Sequence, residues 1–571
     1  MLSLRRLLWP RALVCFAVLG SVEPSLHAKE PVRAEHGMVV AQEPLAADVG
    51  LSVLKAGGNA VDAAVAVGFA LAVTHPVAGN LGGGGFMLVR MADGKTDFLD
   101  FRECAPAKAS RDMYLDKDGN ATKGSIFGWR SSGVPGSVAG LEFAEKKFGT
   151  KRWSDLLEPA VKLATDGFAL TAPVASSLSG QHNPLWEDPE SKRIFLRDGR
   201  PYTAGEVLKQ PELGQTLARI AKSGSADFYR GETAKKLASE MTSHGGLITA
   251  EDLANYKVVE RAPLTGTYHG YGVITSPPPS AGGVGLMQMM GILDGTGYAS
   301  DGPDSAKAVH FEAEAMRRYY ADRSAYLGDP DFYNVPVRQL LQPAYLELRR
   351  KTIDPARATP SSSVEPGLPR SVEARIEWHE SEQTTHYNVV DKDGNAVAVT
   401  YTLNNSYGNG ITVPGLGFLL NDEMDDFAAK PGVPNMFGLV GADANAIEPG
   451  KRPLSSMTPT ILLKDGKLFM AVGAPGGSRI TTGVTEVILD VLDFGMNAQD
   501  AVDLPRFHHQ WKPDILYLQN GFDAKVQAAL IEMGYSIQPI DSVARVEAIV
   551  VRNGKLEGGT ESRMHGKVSG Y

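Results

Sequence analysis

Four segments of the chain have the strand–turn–strand pattern of a β-hairpin, with a short apolar run on each side of an Asp-Gly or Asn-Gly pair. These pairs favour the tight turns whose twist matches that of two antiparallel strands. The paired runs are 86–90 with 96–101, 387–390 with 396–403, 460–463 with 468–472, and 548–551 with the residues after 554. The sequence therefore predicts antiparallel sheet along most of its length.

Helices are predicted between the hairpins. Residues 42–75 have a helical pattern, in which Asn59 caps the apolar segment Ala60–Thr74 and Pro76 prevents its continuation. The segment is apolar nearly all round, which is typical of a buried helix. Residues 135–350 are predicted to be mostly helical with short loops.

The N-terminus has the pattern of a secretory signal. Residues 1–28 combine three arginines, a short apolar run over 12–20 and a small residue, Ala28, at a plausible cleavage site. A retained membrane anchor is the alternative, although the run is short for a bilayer. The formal charge of -9, without a basic cluster beyond the N-terminus, argues against nucleic-acid binding.

Residues 355–383, rich in Ser, Thr and Pro, have the composition of an exposed, mobile linker. The chain changes from this linker to the second hairpin at Thr384. Two threonines, Thr384 and Thr385, stand at the head of that hairpin. By themselves they predict nothing, because hydroxyl side chains are common where strands begin.

Several conspicuous residues are interpreted as structural. The glycines 82–85 lack the Lys-Ser/Thr of a phosphate loop and predict close packing or a turn. The adjacent histidines His508 and His509 are not assigned to a metal site. On a strand they would point to opposite faces, and no further metal ligands stand at a suitable spacing. His386 is not assigned as a base, and Cys104, the single cysteine left after signal removal, is expected to be half-buried. No metal and no cofactor are predicted.

The order of the longer motifs is more informative. From about Pro31 to Tyr571 the chain closely resembles the γ-glutamyltranspeptidases of bacterial type. The motifs that carry the resemblance are GNLGGGGFMLVR (79–90), LDFRE (99–103), APAKASRDMYLD (105–116), TTHYNVVDKDGNAVAVTYTLN (384–404), LLNDEMDDF (419–427), KRPLSSMTPT (451–460) and APGGSR (474–479).

The resemblance implies an α+β fold, the four-layer αββα sandwich of N-terminal-nucleophile hydrolases, with two chains derived from one precursor. Autocleavage is expected between Gln383 and Thr384. It would give a large subunit, residues 29–383, and a small catalytic subunit, residues 384–571, which remain together as a heterodimer.

Each site residue is assigned by its place in a matching motif. Thr384 is the expected nucleophile, Thr402 orients it, and the backbone amides of Gly476 and Gly477 form the oxyanion hole. The expected substrate-binding residues are Arg102, Ser455 and Ser456 at the α-carboxylate, with Asn404, Glu423 and Asp426 around the α-ammonium.

The implied activity is transfer of the γ-glutamyl group of glutathione and related compounds to water, amino acids or peptides, through a γ-glutamyl-threonine intermediate. The free α-amine of Thr384 can serve as base, since its ordinary pKa is near ~8. Two alternatives stay open: an acylase of the same family acting on glutaryl-type β-lactam side chains, and an uncleaved γ-glutamyl-binding protein. The bacterial resemblance favours the periplasm over extracellular release.

The chain departs from the family in the loop that covers the site, here residues 431–447. Phe437 stands where a tyrosine is usual, so a hydroxyl hydrogen bond is lost while the ring remains. We expect a looser lid and less complete shielding of the acyl-enzyme from water. Glu423 stands where bacterial relatives often have glutamine, and both side chains can contact an ammonium.

Overall fold

The computed structural model describes residues 30–180, 183–368, 384–563 and 565–571. The predicted signal, 1–28, and the predicted cleavage residue Gln383 lie outside the described residues. Within the described part, no helix is long and apolar enough to cross a membrane.

The strands, in chain order, are β1 (Val32–Ala34), β2 (Met38–Ala41), β3 (Gly84–Arg90), β4 (Thr96–Phe101), β5 (Phe168–Ala169), β6 (Leu196–Arg197), β7 (Arg200–Pro201), β8 (Val207–Leu208), β9 (Val259–Arg261), β10 (Leu264–Tyr268), β11 (Tyr271–Thr275), β12 (Thr385–Val390), β13 (Ala396–Thr402), β14 (Thr460–Lys464), β15 (Lys467–Gly473), β16 (Phe507–His508), β17 (Leu516–Gln519), β18 (Ile537–Ile540), β19 (Glu547–Arg552), β20 (Lys555–Thr560) and β21 (Lys567–Gly570).

The α-helices are α1 (Pro44–Lys55), α2 (Ala60–Thr74), α3 (Ser137–Phe148), α4 (Trp153–Asp166), α5 (Ala172–Leu178), α6 (Pro189–Phe195), α7 (Pro211–Ser223), α8 (Ser225–Arg230), α9 (Glu232–Ser243), α10 (Ala250–Asn255), α11 (Gly282–Leu293), α12 (Ala306–Tyr326), α13 (Val337–Leu340), α14 (Pro343–Lys351), α15 (Ile480–Leu492), α16 (Ala498–Asp503) and α17 (Ala524–Glu532).

Two seven-stranded sheets dominate the molecule. Sheet 1 has the order β1-β20-β19-β15-β14-β11-β10, and sheet 2 has the order β21-β2-β12-β13-β3-β4-β9. Every neighbouring pair within these two sheets is antiparallel. All four predicted hairpins are confirmed, as β3–β4, β12–β13, β14–β15 and β19–β20.

The central strands of sheet 2, β2, β12, β13 and β3, are buried on both faces. Along β3, Phe86 and Leu88 belong to one hydrophobic core, and Met87 and Val89 to the other. This follows from the period of two in a strand. The core with Phe86 contains residues of α11, α12 and α15, whereas the core with Met87 contains α2. Strands β12 and β13 of sheet 2 contact β15 and β19 of sheet 1.

The predicted cap of α2 is confirmed. The Asn59 side chain accepts from the backbone N–H of Val61 and Asp62, and the Asp62 carboxylate accepts in return from Asn59 N. The helix ends after Thr74, and all of its residues are buried. It packs on β12 and β13, the two strands that lead to the candidate site.

The segment 135–350 is mostly helical, as predicted, although its residues 259–275 form three strands, of which β10 and β11 pair through a turn with positive φ at His269 and Gly270. One local prediction is wrong. The predicted linker is anchored over 355–368, because Trp511 Nε1 donates to the carbonyls of Ser361 and Val364, each at 2.9 Å. Residues 369–383 of that linker lie outside the described residues.

Candidate active site

Thr384 lies directly before β12, and Thr402 is the last residue of the neighbouring strand β13. In this antiparallel pair Thr385 lies opposite Tyr401, so the two hydroxyls meet at the end of the hairpin. The Thr384 and Thr402 Oγ1 atoms are 3.4 Å apart. Both residues are buried. The hairpin thus brings together two residues that the sequence separates.

The glycines of residues 82–85 fix the position of Thr402. A Cβ atom on Gly83 would lie 2.0 Å from the Thr402 carbonyl oxygen, so only glycine fits there. The Asn80 side chain donates to that carbonyl at 2.9 Å and accepts from Gly83 N at 3.0 Å. The predicted close packing of 82–85 is therefore confirmed, and it positions a site residue.

Arg102 follows β4 and is completely buried. Its guanidinium forms ion pairs with Glu423 and Asp426, and lies 3.6 Å from a Glu103 oxygen. Burial alone would lower the pKa of Arg102, but the three carboxylates outweigh it and raise that pKa. Burial raises the pKa of the Glu423 carboxyl well above its ordinary value, and Arg102 offsets part of this shift. The cluster is held together by charge pairing inside the protein.

Asn404, Ser455 and Ser456 complete the polar lining. Asn404 has a positive φ of 79°, and its backbone N–H donates to Thr402 Oγ1 at 2.9 Å. Its side-chain amide donates to the Asp422 carbonyl at 3.1 Å. Ser455 N donates to the Pro279 carbonyl at 2.9 Å, which fixes the turn that carries both serines.

Gly476 and Gly477 lie in the turn between β15 and α15. Their φ values are 139° and 55°, a conformation that residues with a side chain rarely adopt. Gly477 starts a short 3₁₀ helix that leads into α15. Backbone N–H groups at the start of a helix suit a developing negative charge.

One cavity is lined by nearly all the predicted site residues. Its lining residues are Arg102, Arg323, Thr384, Thr402, Asn404, Glu423, Asp426, Phe437, Leu439, Leu454, Ser455, Ser456, Met457, Gly477 and Ile480. Of the predicted site residues that the structure describes, Gly476 is the one not among them; it lies beside the cavity, next to Gly477.

Known proteins resemble this chain over most of its length. The family described as gamma-glutamyltranspeptidase matches residues 46–571. The chain belongs to the gamma-glutamyltranspeptidase family. It is 49% identical to the glutathione hydrolase proenzyme of Escherichia coli K12 over 536 residues, covering 93% of this chain and 91% of that protein.

Two solved structures extend the comparison. The cephalosporin acylase from Bacillus halodurans superimposes with a TM-score of 0.83 at 29% identity, covering 98% of this chain and 99% of that one. The gamma-glutamyltranspeptidase of Helicobacter pylori has a TM-score of 0.57 at 43% identity, covering 61% of this chain and 98% of that chain.

The loop with Phe437 is pinned over the cavity of this family member. Met436 N donates to an Asp425 carboxylate oxygen at 2.9 Å, and the Asn435 side chain donates to Asp426 at 3.3 Å. Gln510 Nε2 donates to the Phe437 carbonyl at 3.4 Å. The Phe437 ring is buried and lines the cavity, as expected of a covering loop.

Arg323, on α12, was not predicted for the site. It is buried, lines the cavity and donates from Nη2 to Ser456 Oγ at 3.4 Å. A single arginine in a helical segment has no spacing that distinguishes it from a surface arginine. Only the packing of α12 against the serine turn brings it into the site.

The residues interpreted as structural have structural contacts. His386 bonds to Thr400 Oγ1 at 2.8 Å and Asn388 Oδ1 at 3.1 Å, and burial lowers its pKa to about 3. It packs on Gly473, where a Cβ would lie 2.2 Å from the ring. His386 therefore stays neutral between the two sheets.

The remaining candidates have similar environments. His508 bonds to Thr482 and Gln510, and His509 to Asp514. Cys104 is partly buried, and burial raises the pKa of its thiol to about 11. Among the described residues, no group of three or more His, Cys, Asp or Glu is placed to hold a metal ion.

Proposed function

We propose that this protein is a self-cleaving γ-glutamyltranspeptidase and glutathione hydrolase. The observation that carries the proposal is the pair of hydroxyls of Thr384 and Thr402, 3.4 Å apart in a cavity that also contains Arg102 and two carboxylates. Relatives named glutathione hydrolase proenzyme, up to 51% identical, support the same activity.

Maturation would begin with the Thr384 hydroxyl. Its oxygen attacks the carbonyl carbon of Gln383, the peptide C–N bond breaks, and the resulting ester is hydrolysed by water. The freed α-amine, with an ordinary pKa near ~8, can then accept the hydroxyl proton at neutral pH. One residue thus supplies both the nucleophile and the base, and Thr402 holds the hydroxyl in place.

The γ-glutamyl head group is a zwitterion, and the cavity offers groups for both charges. Arg102 and the serines 455 and 456 would contact the α-carboxylate. Asn404, Glu423 and Asp426 would surround the α-ammonium. A substrate ammonium would compensate buried carboxylates that would otherwise be costly.

The reaction has two half-steps. Thr384 Oγ1 attacks the γ-carbonyl carbon, the amine leaves with a proton, and a γ-glutamyl ester forms on Thr384. Water, an amino acid or a short peptide then attacks the ester and regenerates the hydroxyl. The amides of Gly476 and Gly477 would stabilise the tetrahedral oxygen, at about 2.7–4 kcal/mol per donor. No metal or cofactor enters this sequence of steps.

The proposal includes the finer architecture and location. The two sheets and the helices that contact them would form the four-layer αββα sandwich, divided after cleavage into subunits 29–383 and 384–571. Removal of residues 1–28 would accompany export, with the periplasm as destination and extracellular release as the alternative.

A second candidate is an acylase for glutaryl-type β-lactam side chains. The similarity to the Bacillus halodurans cephalosporin acylase and to the acylase ACY 1 proenzyme of Pseudomonas, 36% identical, favours it. A glutaryl group lacks the α-ammonium, so Glu423 and Asp426 would then have no cationic part of the substrate to contact. The cluster of carboxylates therefore supports the γ-glutamyl substrate. An uncleaved γ-glutamyl-binding protein would not need the hydroxyl pair of Thr384 and Thr402, so this pair argues against that alternative.

The proposal is tested with Thr384→Ala and a chromogenic γ-glutamyl anilide. The native protein should give two chains on denaturation, release the aniline, and release it faster with glycylglycine. Thr384→Ala should remain one chain and release none, because the nucleophile is gone. Thr385→Val is the matched control and should still mature.

The other outcomes separate the alternatives. Release of glutarate from a glutaryl amide, without release from the γ-glutamyl anilide, would assign the acylase activity. A native protein that remains one chain and releases nothing would be the binding protein.

A further inference from the structure

The catalytic cavity contains a second buried guanidinium. Arg323 lies in the last turn of α12 and is 5% exposed. Its one hydrogen bond to a site residue is the 3.4 Å contact from Nη2 to Ser456 Oγ, and its Nε makes none within the described part of the chain. The side chain therefore keeps much of its donor capacity for something else in the cavity.

Arg323 also differs in charge pairing from its neighbours on α12. Arg317 and Arg318 both pair with Glu314, whereas no carboxylate of the residues described here pairs with Arg323. A buried cation without a partner is costly, and the negative end of the helix dipole offsets only part of that cost. An anion that enters the cavity would supply the missing charge.

Arg102 by itself is poorly suited to bind a carboxylate. Its guanidinium already pairs with Glu423 and Asp426 and approaches Glu103. A ligand carboxylate placed against Arg102 alone would face these negative groups. A second positive charge in the cavity would reduce this repulsion, and Arg323 is the other lining residue that carries one.

We infer that Arg323, together with Ser456, binds the α-carboxylate of the γ-glutamyl donor and so determines specificity for donors that carry this group. The inference rests on the proposed function. The Ser456 hydroxyl, which Arg323 already contacts, belongs to the serine pair of the carboxylate subsite. The planar fork of an arginine can pair with both oxygens of one carboxylate. Arg102 would then contact both the ligand carboxylate and the protein carboxylates that surround the ammonium.

The test compares two donors in native protein and Arg323→Met. One donor is γ-glutamyl 4-nitroanilide, and the other is 4-aminobutyryl 4-nitroanilide, which lacks only the α-carboxylate. Methionine keeps an unbranched stem and removes the charge. We expect kcat/KM for the γ-glutamyl donor to fall about 10- to 100-fold, the size of a charge-assisted contact, and that for the 4-aminobutyryl donor to stay within about twofold.

Arg317→Met is the matched control, since it removes a buried arginine of the same helix that pairs with Glu314 and Asp514 outside the cavity. Any loss of kcat/KM in Arg317→Met should be equal for the two donors. If Arg323→Met fails to mature, Arg323→Lys is measured instead. A lysine ammonium cannot make the paired contact, so a smaller loss confined to the γ-glutamyl donor is expected.

Three results would overturn the inference while leaving the proposed function intact. They are equal losses for both donors, no change for either, and a loss confined to transfer to glycylglycine, which would place Arg323 at the acceptor carboxylate. No release of aniline by the native protein would overturn the proposed function, and this inference with it.

Discussion

At the scale of single residues, the site is a set of buried charges whose partners come from distant parts of the chain. Arg102 follows β4, whereas Glu423 and Asp426 belong to a short 3₁₀ helix far along the sequence. Removing one partner would leave the others buried without compensation, which typically costs about 3–5 kcal/mol. The same side chains would therefore serve both stability and the proposed recognition of the substrate.

Asp425, next to this cluster, gives a pH prediction. Ser125 Oγ and Met436 N donate to its carboxylate, at 2.7 and 2.9 Å, yet burial raises its pKa from 3.8 to about 6. Between about pH 4 and pH 6 the folded state holds a proton that the unfolded state releases. The contribution of Asp425 to stability is therefore lost as pH rises through this window, by about 3 kcal/mol, and this contribution is level above it.

Asp425→Asn should remove this dependence. We expect the difference in Tm between variant and native protein to shift in favour of the variant as pH rises from about 4 to about 6. Calorimetry at several pH values measures it. For Asp118→Asn, at an exposed position, the difference in Tm from the native protein should change little over the same pH range. Parallel curves for native protein and Asp425→Asn would contradict the prediction.

At the scale of elements, two hairpins and one loop form the site. The β12–β13 hairpin presents both threonines, the β3–β4 hairpin ends at Arg102, and the loop 431–447 covers them. The hairpins are held by ladders of backbone hydrogen bonds and by two cores. The loop, which the structure describes in full, contains no strand, and besides its own turns it is attached through the Asp425 and Gln510 side chains, which contact the backbone of Met436, Phe437 and Gly438. We therefore expect substitutions in the loop to change closure of the site without disturbing the sheets.

Phe437→Tyr tests whether the missing hydroxyl loosens this loop. A restored hydrogen bond should favour the closed loop and raise the ratio of transfer to hydrolysis, by at most about tenfold for one bond. The ratio of γ-glutamyl-glycylglycine to glutamate measures it. Phe332→Tyr, at an exposed phenylalanine outside the cavity, is the control. An unchanged ratio in Phe437→Tyr would mean that the hydroxyl has no part in shielding.

At the scale of the whole molecule, the proposed subunits share both large sheets. The pairs β1–β20 and β11–β14 in sheet 1, and β2–β21, β2–β12 and β3–β13 in sheet 2, join a strand from before residue 384 to one from after it. Cutting one peptide bond before Thr384 breaks none of these ladders. Each half alone would expose strand edges and both cores.

We therefore expect the cut protein to stay together. Native mass measurement should give one species with the mass of the precursor plus one water, and denaturing mass measurement should give two chains. Uncleaved Thr384→Ala should give one species of nearly the same native mass, without the added water, and a single denatured chain. Separation of the chains in buffer without denaturant would show that the shared sheets do not hold the halves together.

The sequence by itself determined the local elements. The hairpins follow from Asp-Gly and Asn-Gly turns, and helix α2 follows from the cap at Asn59. The ordered motifs predict which residues act as the nucleophile and which bind the substrate. Each of these signals lies within a short stretch of chain. Their physical causes, turn geometry and capping, act between residues that are neighbours in sequence.

Only the tertiary structure decided the rest. It made strands of 259–275, because β11 pairs with β14. It anchored 355–368, whose composition suggested a free linker, through Trp511. It also brought Arg323 to Ser456. Such contacts join residues far apart in the chain, and their energies depend on which surfaces meet once the two sheets and their helices have packed, which no local pattern specifies.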